Sequence, residues 1–225
     1  MEFCNLFAFG ALRTVSSPFL KMMLPAALLL TLASGASAHS IRAGGSSAFL
    51  RLRGGAQTDA EALAPVTKKE VLQVQKNWAN AIVKISAAHK AGGDYIGEAA
   101  KAAGELYAYG HSDVLFKPTK ARKVQFRPTA GEAMSYFVGG KVVDKGYDED
   151  KGFAINGGKG HKKCVYKNHN VVIKNGVGIA MGTYDFTCAT TGKVDSIEYT
   201  FGYMRCPEDK KVRIFLHHSS VPYPG

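Results

Sequence analysis

Three features of the sequence predict an α+β fold: helix-forming segments come first, strand-forming segments follow, and Gly-rich turns punctuate the second half. Thr67-Lys68-Lys69-Glu70 is a capping box, in which a hydroxyl and a carboxylate satisfy each other's orphan backbone donors. Val71, Val74, Trp78, Ile82 and Ile85 then recur at helical spacing until Gly92-Gly93 stops the run, so a long amphipathic helix with one apolar face is expected. Asp94 is placed to cap a second, Ala-rich helix running through Ala108 to Gly110.

Short strands are expected at Asp113 to Lys117 and Val124 to Arg127. Thr129-Ala130-Gly131-Glu132 repeats the capping-box pattern and opens a short helix, Ala130 to Val138, closed by Gly139-Gly140. The pattern then changes to strands at Gly152 to Asn156, Lys163 to Lys174, Gly178 to Cys188, Ser196 to Arg205 and Lys211 to Ser219. Asn175-Gly176 and Thr191-Gly192 mark the hairpin turns. Strands this long, with two helices to cover them, imply a strongly bent sheet with a pocket between its concave face and the helices. Alternation puts Tyr199, Phe201 and Tyr203 on one face of their strand.

The 225 residues, 46% of them apolar, with only four Cys, exclude a disordered tail, a fibre and a disulfide-stapled miniprotein. Residues 1–63 read as a targeting extension. Lys21-Met22-Met23 begins a basic n-region, Leu24 to Leu32 is a short apolar stretch, and Gly35 to Ala38 ends in a small-x-small cleavage site, which together make a signal peptide. His39 to Thr58 carries Arg and Ser and no acid, which is transit-peptide composition and predicts delivery to an algal plastid. The apolar stretch falls short of the ~20 residues a membrane span needs. Leu50-Arg51-Leu52-Arg53-Gly54-Gly55 matches the tail of ubiquitin, but nothing before it can form that fold. Residues 64–225 are then the functional domain. It keeps most of the net charge of +11, but its lysines lie scattered in turns without an aromatic stripe, which argues for a solvated surface favouring anionic ligands over a nucleic-acid groove.

Cys164, Cys188 and Cys206 form no C-x-x-C pair, so neither a zinc ribbon nor a thioredoxin-type site is supported. His217 and His218 are neighbours on one strand and point to opposite faces, so they cannot both ligate one ion, and no H-x-H or H-x-x-x-H spacing occurs. The densest polar cluster is Phe215-Leu216-His217-His218-Ser219-Ser220-Val221-Pro222-Tyr223. Alternation groups His218 with Ser220 and His217 with Ser219, and only one pair faces inward.

This cluster resembles the C-terminal signature of iota-class carbonic anhydrases. Val114 to Ala121, Tyr136 to Gly140, Asp150 to Asn156 and Ala180 to Thr187 are similar to further blocks of that family, in the same order, so the resemblance spans about residues 66 to 224. It implies a nuclear transport factor 2-like fold, a cone-shaped α+β barrel whose bent antiparallel sheet wraps a long N-terminal helix. It also implies reversible hydration of CO2 to bicarbonate, and a homodimer paired through the outer sheet face.

Carbonic anhydrases usually rely on bound zinc to lower the pKa of water to about 7. The missing ligand spacing favours the branch of the iota class that works with no metal cofactor. Hydroxyl and imidazole groups must then polarise the water and hold the charge that develops on CO2. By resemblance, Thr119, Tyr136, His218 and Ser220 are the expected catalytic residues, with His217 and Ser219 as the alternative register. Two other classes remain open: a non-catalytic association or ligand-binding module, and an isomerase-like enzyme using Asp185 or Glu198 as an inward carboxylate with a raised pKa.

Overall fold

The computed structural model describes residues 63–225. The targeting extension, and with it the ubiquitin-like hexapeptide, lies outside these residues. Helix α1 (Lys68–Lys90) opens with the expected reciprocal capping box between Thr67 and Glu70, and α2 (Tyr95–Leu106) with the Asp94 side chain accepting from the Gly97 amide. Strand β1 (Leu115–Lys117) follows, then α3 (Ala130–Val138) with its own capping box between Thr129 and Glu132. Four long strands complete the chain: β2 (His161–Lys174), β3 (Val177–Cys188), β4 (Val194–Arg205) and β5 (Val212–Ser220).

The strands form one mixed sheet in the order β1-β5-β4-β3-β2, antiparallel except for the parallel β1–β5 pair. Among the described residues β1 and β2 remain unpaired edges, so the sheet is an open one and not the closed barrel expected. Its α+β character holds. Helix α1 lies across the inner face, where Trp78 meets the rings of Tyr166, Tyr184, Phe186, Phe201 and His217 edge-on at centroid separations of 5.7–6.2 Å. Edge-to-face contact sets the positive ring edge against the negative face, which fixes ring orientation as well as excluding water. Tyr199, Phe201 and Tyr203 all point inward, as the alternation requires.

Two expected strands do not form. Residues 122–124 turn their amides onto one carboxylate: Glu149 accepts from the N–H groups of Arg122, Lys123 and Val124 at 2.8–2.9 Å. A segment whose donors are spent on a side chain has none left for a ladder. Residues 152–156 instead enter a 3-10 turn, Asn156–Gly158, and Phe153 and Ala154 bond back to the carbonyls of Tyr136 and Phe137. Both segments are thereby tied to α3. The anchor is Arg127, fully buried, whose guanidinium donates to Asp150 at 3.0 Å and to the Val124 carbonyl and lies 4.4 Å from the Tyr147 ring centroid. Ser135 on α3 donates to the second Asp150 oxygen at 2.6 Å.

Candidate active site

The site lies where β5, β3, α3 and the loop after β1 converge beneath α1. Its phase is set by an irregularity in β5. Tyr203 pairs with Ile214 and Gly202 with Leu216, so Phe215 is an extra residue on β5 with no partner on β4. A bulge of one residue reverses the side-chain alternation beyond it. His217 and Ser219 therefore face the core at 2% and 3% exposure, while His218 is exposed and Ser220 turns outward, donating to Glu198 at 3.1 Å. The expected inward pair His218 and Ser220 is corrected to His217 and Ser219. Unbroken alternation from Ile214 would have given the expected pair.

The inward pair sits in a chain of hydrogen bonds whose direction follows from donor counting. The Trp78 indole, a donor only, donates to the Tyr107 hydroxyl at 2.9 Å. That hydroxyl lies 2.7 Å from His217 Nδ1, and with its oxygen accepting from Trp78 its own proton goes to the imidazole. Nδ1 is then the acceptor and Nε2 carries the hydrogen, directed at the Tyr184 hydroxyl 3.5 Å away. Any other tautomer leaves a buried proton without a partner. Burial holds the His217 imidazole well below its ordinary pKa, with His218 adding to the effect, so it is neutral near pH 7.

Beyond Tyr184 the chain reaches hydroxyls. Thr119 and Ser219 are 2.8 Å apart, oxygen to oxygen, and both adjoin the Tyr184 phenol. Tyr136, stacked on Phe153 at 5.4 Å, brings a buried hydroxyl close to Thr119 and Lys120, yet that hydroxyl has no hydrogen-bond partner. Burial raises the phenols of Tyr107, Tyr136 and Tyr184 well above their ordinary range, so each keeps its proton and serves as a neutral donor. An unpaired buried hydroxyl costs about 1–3 kcal/mol, and a ligand that bonds to it recovers that cost. Phe116, stacked on His217 at 4.5 Å, and Phe153 supply apolar walls. The arrangement sets four hydroxyls, those of Thr119, Tyr136, Tyr184 and Ser219, among apolar aromatic walls.

Of the residues expected from the sequence, Thr119 and Tyr136 come together in this cluster, and His218 and Ser220 do not join it. His217 and Ser219 replace them, and Tyr107 and Tyr184 join; no motif or spacing in the sequence singles out the hydroxyl of either tyrosine. Asp185 and Glu198 both face outward: Asp185 pairs with Lys167 at 2.6 Å, and its carboxyl is held below the ordinary range by that lysine. Neither is therefore the inward carboxylate with a raised pKa that an isomerase-like site requires. Among the described residues no three His, Cys, Asp or Glu side chains converge so as to hold a metal ion.

A family model described as metal-independent carbonic anhydrase matches residues 69–221. The chain belongs to this family. A curated relative from Nostoc sp. strain PCC 7120, named a metal-independent carbonic anhydrase, is 37% identical over 161 residues, covering 70% of this chain and 75% of the relative. The crystal structure of an iota-carbonic anhydrase from a cyanobacterium, complexed with bicarbonate, superposes with a TM-score of 0.65 at 35% identity, over 72% of this chain and 95% of that one. The protein is thus a carbonic anhydrase of the metal-independent kind, as the C-terminal signature implies. The plastid destination is corrected: these relatives are cyanobacterial, and cyanobacteria have no plastids.

Proposed function

We propose that residues 64–225 form the catalytic domain and that Thr119, Tyr136, Tyr184 and Ser219 perform the hydration of CO2 directly. The buried Tyr136 hydroxyl carries this reading, because it lies close to Thr119, which pairs with Ser219, and makes no hydrogen bond among the described residues. The oxygen of a water molecule held by that pair attacks the carbon of CO2, forming one C–O bond as one C=O π bond breaks and its electron pair moves onto the oxygen of that C=O. Tyr136 and Tyr184 donate to the oxygens on which charge builds, in a low-dielectric site where fixed donors count for more than in water. The water's second proton leaves through the hydroxyls to solvent, giving bicarbonate and a proton. His217 is a positioning residue. Its Nδ1 lone pair is already used by Tyr107, so its role is to aim Tyr184 and not to accept the proton from water.

A homodimer through the outer sheet face fits the same domain. Val172, Ile179 and Met181 stand exposed there on β2 and β3, in cross-strand register, and Thr200 and His218 continue the face across β4 and β5. Apolar side chains in such a row gain by meeting a second copy.

The test is CO2 hydration by the full chain after treatment with a strong chelator and metal analysis, beside Tyr136→Phe and Thr119→Val. Activity that persists without metal and falls about a hundredfold in each variant is the expected result, since removing one such donor costs about 10²–10³ in rate. Full activity in both variants overturns the assignment of residues. Activity that returns only with added metal overturns the mechanism.

A further inference from the structure

A cavity of about 580 Å³ opens beside the hydroxyl cluster, with the buried Tyr136 and Phe153 at its floor and the exposed Lys120, Lys151 and Lys159 at its rim. Its wall also holds two acids, Glu149 and Asp150, and the single Arg127 beside them, 3.6 Å from Glu149 and 3.0 Å from Asp150, offsets one of the two charges. Glu149 is committed to three backbone amides, and Asp150 to Arg127 and Ser135. The lysines, by contrast, have no carboxylate partner: Lys151 donates only to the Asp148 carbonyl at 3.3 Å, and Lys120 and Lys159 make no ion pair among the described residues. The mouth of the site therefore carries three lysines against one carboxylate that Arg127 does not offset, an excess of positive charge.

Resting on the carbonic anhydrase reading above, we propose that Lys120, Lys151 and Lys159 form an anion-recruiting vestibule that binds bicarbonate ahead of the hydroxyl cluster and sets the enzyme's affinity for it. CO2 is neutral and feels no such field; bicarbonate is a monoanion and does. The charge of Lys120 also reaches inward, where it helps to keep the buried His161 from protonating, behind its burial as the main cause. Cationic rims over low-dielectric floors focus the field and concentrate anions of the matching size.

The experiment measures binding of ¹³C-bicarbonate to the full chain by NMR line broadening, together with inhibition of CO2 hydration by bicarbonate, in wild type and in the triple variant Lys120→Gln, Lys151→Gln, Lys159→Gln. A second triple variant, Lys68→Gln, Lys69→Gln, Lys174→Gln, makes the same change of net charge at the far end of β2 and α1. Loss of three exposed charges at the rim predicts a bicarbonate dissociation constant raised about fivefold near 0.01 M salt and under twofold near 0.5 M, where screening is short-ranged. The far-end variant is expected to keep the wild-type value. An unchanged constant in the rim variant, or an equal rise in both variants, overturns the proposal. Binding is read independently of turnover, so a wild type that binds bicarbonate but does not hydrate CO2 refutes the catalytic reading while still deciding the vestibule.

Discussion

A Cβ built on Gly202 would lie 2.8 Å from the Phe215 ring, so the glycine on β4 is what admits the bulged residue on β5. Everything after Phe215 depends on that accommodation. The bulge turns His217 and Ser219 inward and leaves His218 and Ser220 outside, and so decides which imidazole and which hydroxyl reach the buried cluster.

Gly202→Ala is expected to cost about 1–3 kcal/mol by overpacking, since the nearest atoms are a ring held in the sheet and the Leu216 Cβ at 2.9 Å. CO2 hydration should fall further than stability, because the methyl group pushes on the residue that sets the phase of the site. Urea unfolding beside stopped-flow hydration checks this, and a variant with wild-type activity would show that the phase survives without the glycine.

Adjacent serines should differ sharply. Ser219→Ala removes a hydroxyl 2.8 Å from Thr119 and is expected to lower kcat about a hundredfold, by analogy with the loss of one fixed donor. Ser220→Ala removes a rim contact to Glu198 and should leave kcat within about twofold. The reverse ranking would restore the His218 and Ser220 register.

The buried imidazole predicts an acid-side loss of stability. His217 has a folded pKa well below 6.5, so the unfolded chain binds a proton that the folded one refuses. Stability is complete above the unfolded value and declines as pH falls below it, by up to about 1.4 kcal/mol per pH unit for one proton. His161 is shifted the same way and contributes to the same window. Chemical denaturation between about pH 7.5 and 5 should show this slope, and His217→Gln should reduce it by about one proton.

Breaking the anchor behind the loops should be costly. Asp150→Asn leaves the fully buried Arg127 without its closest carboxylate, with Glu149 3.6 Å away, and a loss of about 3–5 kcal/mol is expected. A thermal melt measures it.

The outer face gives a separate check. Met181→Glu places a charge amid the exposed apolar row and should shift sedimentation toward the monomer at equal loading. A wild-type chain that sediments as a monomer would remove the dimer.

Periodicity and capping made the helices legible: both capping boxes form, and α3 has the residues expected of it. These signals are local, since a Thr and a Glu three residues apart meet wherever a helix starts. The long strands were legible for the same reason, and so was the inward row of Tyr199, Phe201 and Tyr203. The C-terminal polar cluster was recognisable as the place of chemistry. Which half of it faces inward was not, because alternation fixes relative phase only as far as the strand is regular. The ring of the bulged Phe215 lies over Gly202 on the neighbouring strand, thirteen residues back along the chain. The proton order from Trp78 to Tyr184 likewise joins α1, the segment after α2, β5 and β3. By itself the sequence determined the helices, the four long strands and the family. Only the tertiary structure decided the phase of β5, the tautomer of His217 and the hydroxyl left without a partner, because each depends on contacts between segments that local patterning does not relate.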